Sequence, residues 1–256
     1  MTLEALIVGC AVGVAASLLG VFVILRRLAL ISDVLSHVAL PGMGVALMVG
    51  ASPFAGALAA LLLAVAGISF VERRFSVAIE TVVGIIFTVS LALGTLLVPS
   101  EELLEALFGD IESVTRGDAV LAVAASVVLV GMVLFFFKQF ARVTFSRELA
   151  KESTMTSIHQ TEFAFLAAIA FAIAIGIQVV GMLLMGALVV LPAAAAKNIT
   201  RSLKGMAVWA VLFGVAMFAA GIAFAAVFAA PPGAAIVLCG GVLFLVSLVV
   251  RAARGR

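Results

Sequence analysis

The sequence predicts an all-α, polytopic membrane protein with about nine transmembrane helices. Of its 256 residues, 66% are hydrophobic and only 11% are charged, whereas a soluble domain carries about 25% charged residues. The apolar residues form continuous runs, not the alternating segments of about ten residues that are typical of membrane β-barrel strands. At about 20 residues per crossing, this length accommodates eight to ten helices. The composition therefore excludes a cytosolic enzyme, and we expect residues 1–256 to form one transmembrane domain.

Nine apolar runs are long enough to cross a membrane. The first run, 4–25, has only Glu4 at its start and is followed by Arg26 and Arg27. Because a signal peptide begins with basic residues, we expect this run to be a retained helix. In chain order the runs cover residues 4–25, 29–49, 53–71, 77–98, 119–137, 162–179, 181–196, 206–229 and 234–250.

Basic residues follow the odd-numbered runs and set the expected orientation. Arg116 is the one Lys or Arg of the sequence that falls on the other side. An excess of Lys and Arg in short loops marks the cytoplasmic side of a membrane protein. We therefore expect the N-terminus outside and the C-terminus inside. The residues concerned are Arg26, Arg27, Arg73, Arg74, Lys138, Arg142, Arg147, Lys151, Lys197, Arg201, Lys204, Arg251, Arg254 and Arg256.

Two loops between the runs are large enough to contact other proteins, but neither is long enough to be a catalytic domain. The outer loop, 99–118, is acidic, and it is either a solvated loop or a docking surface for another protein. The inner loop, 138–161, mixes charged residues with Ser and Thr, and its His159 is expected at the surface. The candidate docking residues of the outer loop are Glu101, Glu102, Glu105 and Asp110.

When the charges in the loops and at the flanks of the runs are set aside, three ionisable residues, two acids and one histidine, remain inside the apolar runs. Asp33 and His37 belong to the second run and Glu80 to the start of the fourth. A charge at the centre of a membrane helix costs about 2.5–3.5 kcal/mol on insertion scales. Asp33 and His37 are four residues apart and therefore share one helix face. At a rise of 1.5 Å per residue, they lie about 9 Å and 15 Å along the helix from Arg27 at the inner interface. Asp33 and His37 either line a pathway for a metal or a proton, or they form a structural pair. Glu80 either belongs to that pathway or reaches the inner interface.

A proline in the second run leaves a backbone carbonyl oxygen free as a third type of ligand in this region. Pro41, followed by Gly42, has no N–H, so the carbonyl of His37 loses its helical partner. A carboxylate, an imidazole and a carbonyl oxygen are ligands that suit zinc and manganese. Two ligands are too few for a tight site, but a two-fold dimer with the second runs facing each other would supply two Asp and two His. Pro192 predicts a kink in the seventh run, with a gating role as the alternative.

Motifs of several enzyme classes are absent from the sequence. No Lys is followed by Ser or Thr, so the chain has no nucleotide-binding loop of the G-x-x-x-x-G-K-[ST] type. There is no H-E-x-x-H motif, and neither Cys10 nor Cys239 has a nearby His in sequence that would suggest a thiol nucleophile. The chain is therefore expected to have no catalytic activity of its own and no permanently bound cofactor.

Five segments together resemble the permease subunit of ABC importers for zinc, manganese and iron. The resemblance covers nearly the whole chain, with the segments in the same order. The first three segments are paired basic residues before a D-x-L-S-H at Asp33–His37, an L-F-G-D-I at Leu107–Ile111, and an E-L-A at Glu148–Ala150. The fourth is a V-G-x-L-L at Val180–Leu184 that leads through L-P-A-A at Leu191–Ala194 to Arg201. The fifth is Pro232–Leu238.

The resemblance implies a fold similar to the type II importer permeases for vitamin B12 and siderophores. It implies a homodimer in a bacterial-type plasma (inner) membrane, a cytoplasmic ATPase subunit that hydrolyses ATP, and an extracellular or periplasmic metal-binding protein; no nucleic acid is involved. Glu148, Leu149 and Ala150 would lie in the coupling helix that contacts the ATPase, and Asp33 and His37 match the family's polar pair in the metal path. The family usually has Gly where this sequence has Thr154, which puts the local shape of the coupling turn in doubt.

The expected function is thus transport of a divalent metal by alternating access, driven by a separate ATPase. The main alternative is a proton-coupled secondary metal transporter that uses the same Asp33 and His37 without an ATPase. An intramembrane hydrolase would need a nucleophile and a base, or a third metal ligand, near His37, and the sequence offers none. A purely structural membrane protein would tolerate the loss of both residues.

Overall fold

A computed structural model describes residues 3–75, 78–99, 106–107, 109, 115–145 and 155–254. In this part of the chain the long elements are nine α-helices and there are no strands. The helices are α1 (Leu3–Leu25), α2 (Ala29–Met48), α3 (Pro53–Phe75), α4 (Ile79–Leu97), α5 (Arg116–Phe145), α6 (Met155–Val180), α7 (Met182–Ile199), α8 (Leu203–Phe228) and α9 (Pro232–Ala253).

Eight of these helices are long and apolar enough to cross a membrane, and α4 contains a shorter apolar stretch, Thr81–Leu97. The prediction of an all-α polytopic membrane protein is confirmed. Two helices extend furthest beyond the apolar runs that predicted them, because α5 continues to Phe145 and α6 begins at Met155. Polar residues such as Lys138 end the apolar run, but they are good helix formers and the backbone continues beyond the apolar core.

The helices pack around α1, whose most apolar stretch is 72% buried. α1 contacts α5, α7 and α8, while α2 packs against α3, α4 and α7. α6 lies against α3 and α5, and α7, α8 and α9 form a mutually packed group. The outer helices α3, α5, α8 and α9 bury only 22% to 28% of their apolar stretches and expose large aliphatic and aromatic side chains. This is the distribution expected of a bundle whose rim faces lipid.

Small residues set the closest helix crossings. Gly42 of α2 and Gly56 of α3 approach so closely that a Cβ on either would collide with the backbone oxygen of the other. Between α1 and α8 the close approach is at Gly214, where a Cβ would collide with the Ser17 hydroxyl and lie 3.1 Å from the Gly13 carbonyl oxygen. Membrane helices associate through such small residues because lipid provides no hydrophobic driving force between them.

Polar contacts join helix ends that the charge pattern assigns to the same side. At one end of the bundle, Arg116 Nε lies 3.0 Å from Glu4 Oε1. At the other end, Arg26 Nε donates to Thr144 Oγ1 at 3.1 Å, and its guanidinium carbon lies 4.2 Å from the centre of the Phe165 ring. The short loop after α1 is completed by Arg27, which adopts a left-handed φ of 61°.

A glycine contact joins the outer loop to the break between α6 and α7. Gly181 separates these helices with φ of 79°, and Gly109 has φ of 70°; glycine adopts both values without strain. A Cβ on Gly109 would lie 2.5 Å from both the Gly181 nitrogen and the Val180 carbonyl carbon. Two segments of the family resemblance, L-F-G-D-I and V-G-x-L-L, therefore meet backbone to backbone.

Candidate functional site

One face of α2 is not covered by the rest of the described chain. We call it the open stripe of α2. Its apolar members are clearly exposed, with Leu30 at 75%, Val45 at 51% and Met48 at 72% of their surface. The two polar residues predicted from sequence lie within this stripe. The open stripe consists of Leu30, Asp33, His37, Pro41, Val45 and Met48, which are spaced three or four residues apart.

Asp33 is exposed on the open stripe, and its backbone rests against α7. A Cβ added to Gly186 of α7 would lie 3.2 Å from Asp33 Oδ1 and 3.5 Å from Asp33 Cα. Glycine at 186 therefore lets α7 pass directly behind the carboxylate. Within the described part of the chain, no side chain forms an ion pair with Asp33, so its charge is not compensated by those residues of a single chain.

His37 is half-buried and lies against an aromatic ring of α4. Its ring centre is 5.2 Å from that of Phe87, at an interplanar angle of 70°. Nδ1 of His37 is enclosed and finds no hydrogen-bond partner among the residues described. A metal-ligating His normally donates its second ring N–H to a carboxylate or carbonyl, which fixes the ring and raises its basicity. His37 lacks that support among these residues, so it is poorly set up to hold a metal tightly.

A single chain does not assemble a complete metal site from its described residues. No group of three His, Cys, Asp or Glu side chains comes together there. α2 remains helical through Pro41, and the absent N–H of Pro41 still leaves the His37 carbonyl without its usual helical donor. Each chain thus offers a carboxylate, an imidazole and a carbonyl along about one helical turn, or roughly 6 Å.

Helix α4 runs beside α2 in the same direction. His37 faces Phe87, Leu40 faces Gly94 and Gly44 faces Leu97, so both residue numbers rise together. α4 also carries three exposed threonines, seven residues apart, which therefore lie on one face. They are Thr81, Thr88 and Thr95.

The hydroxyls of two of these threonines already bond to their own helix. Thr88 donates to the Gly84 carbonyl at 2.7 Å, and Thr95 donates to the Ala92 carbonyl at 2.9 Å. Their oxygens remain available as acceptors on a mostly apolar helix. The seven-residue spacing could have revealed this face from sequence, whereas no local signal points to Phe87 or Gly186 as neighbours of His37 and Asp33.

The other residues predicted from sequence lie away from the open stripe of α2 or outside the described part of the chain. Glu80 lies in the first turn of α4, and its side chain is outside the described residues. Pro192 is buried inside a continuous α7, near the point where the Val189 carbonyl meets Gly20 of α1. Also outside the described residues are the docking candidates Glu101, Glu102, Glu105 and Asp110, the coupling residues Glu148, Leu149 and Ala150, Thr154, and the side chain of His159.

Comparison with known sequences gives matches along almost the whole chain. Residues 1–251 match the ABC 3 transport family. The chain is 30% identical over 248 residues to the manganese transport system membrane protein MntC of Listeria monocytogenes, covering 95% of this chain and 88% of that protein. It is 27% identical over 249 residues to the high-affinity zinc uptake system membrane protein ZnuB of Haemophilus influenzae, covering 95% of each.

Solved structures show the same architecture. PsaBC from Streptococcus pneumoniae, in complex with a Fab, superimposes with a TM-score of 0.85 at 30% sequence identity, covering 95% of this chain and 89% of that one. A metal-chelate type ABC transporter in an inward-facing conformation superimposes with a TM-score of 0.70 at 16% identity, covering 96% and 85%. The second likeness concerns the fold alone.

Proposed function

The chain belongs to the ABC 3 transport family, and on that premise we propose that it is the permease subunit of an ATP-driven importer of a divalent metal. In this proposal two copies form the translocation path between them. A separate cytoplasmic subunit hydrolyses ATP, and the permease itself is not an enzyme. The relatives named above serve manganese and zinc systems; iron is the third metal that the sequence resemblance suggests.

The open stripe of α2 is the observation that carries this proposal. It exposes a carboxylate, Asp33, one turn inside the start of a helix that is apolar enough to span the bilayer. Facing lipid, that charge would be unfavourable, by up to the value of about 2.5–3.5 kcal/mol that applies at a helix centre. A second copy placed against the stripe would cover Leu30, Val45 and Met48 and bring a second Asp33 and His37 to the same level. A polar passage at such a seam explains why these residues are exposed.

The coordination expected at this seam is weak, which suits transport. Two Asp33 carboxylates and two His37 imidazoles would provide oxygen and nitrogen ligands that zinc, manganese and ferrous iron all accept. The enclosed Nδ1 of His37 has no acceptor in the described residues, so the imidazole ring is less firmly oriented than that of a storage site. We therefore infer that the metal passes this level without being held there, and that Glu80 and the threonines of α4 contribute further oxygen atoms to the path.

The expected orientation places partners on both sides of the membrane. With the N-terminus outside, the acidic outer loop with Glu101, Glu102 and Glu105 would face a metal-binding protein. The inner segment with Glu148–Ala150 would contact the ATPase. Support comes from the basic residues that follow the odd-numbered runs and from the contacts that bring Glu4 to Arg116 and Arg26 to Thr144.

The proposal is tested by metal uptake into liposomes that contain the permease with its ATPase. We expect Asp33→Ala and His37→Ala each to abolish ATP-dependent uptake of manganese and zinc while the assembled complex stays intact. Glu4→Gln is the control, because its exposed ion pair is worth about 0–1 kcal/mol. Normal uptake by both site variants would refute the site, and uptake without the ATPase would favour a proton-coupled secondary transporter instead.

The seam itself is tested by disulfide cross-linking between copies. With Cys10 and Cys239 replaced by Ala, we expect Val45→Cys on the open stripe to give a cross-linked dimer on mild oxidation. Val128→Cys on α5, which is 63% exposed at the rim, is the matched control and should remain monomeric. The reverse pattern would place the dimer interface elsewhere.

A further inference from the structure

Five basic side chains are exposed at one end of the group formed by α7, α8 and α9. Lys197 lies in the last turn of α7 and Lys204 in the first turn of α8. The remaining members are Arg201 in the link between these helices, Arg251 in the last turn of α9, and Arg254 just beyond it. Because α7, α8 and α9 contact one another, these five residues form one patch, which we call the basic patch.

The basic patch has no acidic counterpart in its own region. After Glu162, the sequence contains no Asp or Glu up to its last residue. Some other basic positions on this side of the predicted topology have acidic neighbours in sequence, such as Glu72 beside Arg73 and Glu148 beside Arg147. Orientation of a membrane protein requires an excess of Lys and Arg, but it does not require the removal of acids. The patch therefore concentrates positive charge that its own stretch of sequence does not neutralise.

One arginine of the patch is held in position by a buried polar network. Arg251 Nη1 donates to Asn198 Oδ1 at 3.2 Å. Asn198 Nδ2 donates to Ser247 Oγ at 3.0 Å, and Ser247 Oγ donates to the Phe244 carbonyl at 2.6 Å. Asn198 and Ser247 are only 8% and 2% exposed. The buried Asn198 amide needs such bonds to offset its desolvation. Here they also hold the Arg251 guanidinium at the end of α9.

The basic patch borders directly on lipid-facing apolar residues. Val208 is 59% exposed and lies one turn from Lys204 on the same face of α8. Leu248 is 38% exposed and lies three residues before Arg251 on α9. Trp209, the one tryptophan of the sequence, is 41% exposed at about the same depth, and tryptophan is enriched where the apolar core meets the headgroups. The Lys204 and Arg251 side chains are therefore expected at the level of the lipid phosphates, with Val208 and Leu248 below them at the level of the acyl chains.

We propose that the basic patch binds the phosphate of an anionic membrane lipid, with Lys204 and Arg251 as its main contacts. The patch is a lipid site and not a protein docking surface because its charges stand on helix ends beside exposed aliphatic side chains. The first turn of α8, capped by the Ser202 hydroxyl that accepts from the Gly205 N–H at 3.0 Å, adds its partial positive charge. Clustered basic residues between membrane helices are suited to such headgroups.

The experiment measures lipid retained by the full chain in nanodiscs of phosphatidylcholine with increasing phosphatidylglycerol, using native mass spectrometry. The double variant Lys204→Gln/Arg251→Gln should bind phosphatidylglycerol about 25-fold more weakly, at about fivefold for each charge removed. Lys138→Gln/Arg142→Gln removes the same charge from exposed positions of α5 and should bind as the unmodified chain does. Asn198→Ala keeps every charge but releases Arg251, so we expect an intermediate loss.

Three outcomes would overturn the proposal. Equal loss of lipid in the α5 control would mean that only net charge matters. Competition by millimolar inorganic phosphate as effectively as by lipid would mean that the patch is a site for free anions. If the patch instead binds the ATPase, the Lys204→Gln/Arg251→Gln variant will lose that subunit while retaining phosphatidylglycerol.

Discussion

At the scale of single residues, the environment of Asp33 depends on a glycine in another helix. An alanine at 186 would place its Cβ 3.2 Å from Asp33 Oδ1, a distance at which the carboxylate or α7 must shift. We predict that Gly186→Ala lowers the rate of metal uptake at least tenfold, with little loss of folded protein. Transport assays in liposomes check this.

A matched control separates this effect from the general effect of adding a methyl group. Gly131 of α5 has open space around it, so Gly131→Ala should leave uptake unchanged and gain up to about 1 kcal/mol in helix stability. Equal uptake by Gly186→Ala and Gly131→Ala would mean that the position of Asp33 is not critical.

Phe87 gives a second prediction at this scale. The proposal attributes weak metal binding to the missing hydrogen-bond acceptor at His37 Nδ1. An amide oxygen in place of the Phe87 ring should then strengthen metal binding. We predict that Phe87→Gln increases metal retention by about tenfold and slows uptake, whereas Phe87→Leu weakens retention or leaves it unchanged. Metal content of the purified protein and uptake rates measure the two effects. Identical retention by Gln and Leu variants would contradict the interpretation.

The sequence alone predicts part of this site, because some relations are local. The four-residue spacing of Asp33 and His37 predicts that they share a helix face, and both do lie on the open stripe of α2. The contacts with Phe87 and Gly186 join residues that are far apart in the chain. No periodicity in one helix encodes which residue of another helix will lie behind it, so these neighbours emerge only from the packed structure.

At the scale of helices, hydropathy predicted the order of elements well and their ends less well. The second run, 29–49, corresponds to α2 at Ala29–Met48. The fifth run, 119–137, corresponds to α5 at Arg116–Phe145. Hydropathy reports where side chains prefer lipid, whereas a helix ends where its backbone hydrogen bonds end. The two boundaries coincide at α2, which ends in a turn at Gly50, and differ at α5, which continues past Lys138.

The crossing of α2 and α3 provides a prediction at this scale. Because a Cβ on Gly42 would collide with the Gly56 backbone, the obstacle is main chain and cannot rotate away. We predict that Gly42→Ala destabilises the protein by about 1–3 kcal/mol, the usual cost of overpacking. Thermal unfolding in detergent measures the effect.

Its control lies on the partner helix. Gly67 of α3 stands in open space, with no neighbouring atom within 4 Å of the position that a Cβ would take, so Gly67→Ala should be neutral or slightly stabilising. A melting temperature for Gly42→Ala equal to that of Gly67→Ala would show that the helices separate at little cost.

At the scale of the whole molecule, contacts place the two ends of the described chain on opposite sides of the bundle. The end of α7 packs against Val21 near the end of α1, and Arg251 at the end of α9 bonds to Asn198 there, so the end of α9 lies opposite the start of α1. The distribution of Lys and Arg predicts which side faces the cytoplasm. In a background without Cys10 and Cys239, we predict that Gly117→Cys is labelled by a membrane-impermeant maleimide in intact cells. Arg254→Cys should be labelled only after permeabilisation. Both positions are exposed, and labelling in the opposite order would invert the proposed orientation.

The contact of Gly109 with the helix break at Gly181 has a practical consequence. It is made with main-chain atoms, so its attachment is indifferent to the identity of the surrounding side chains. Under the docking role that we propose for the outer loop, loop sequences from related proteins could be grafted around position 109 to change partner preference, provided that the glycine is retained. Under the same proposal, the docking residues could diverge among related proteins while the backbone contact of Gly109 is retained.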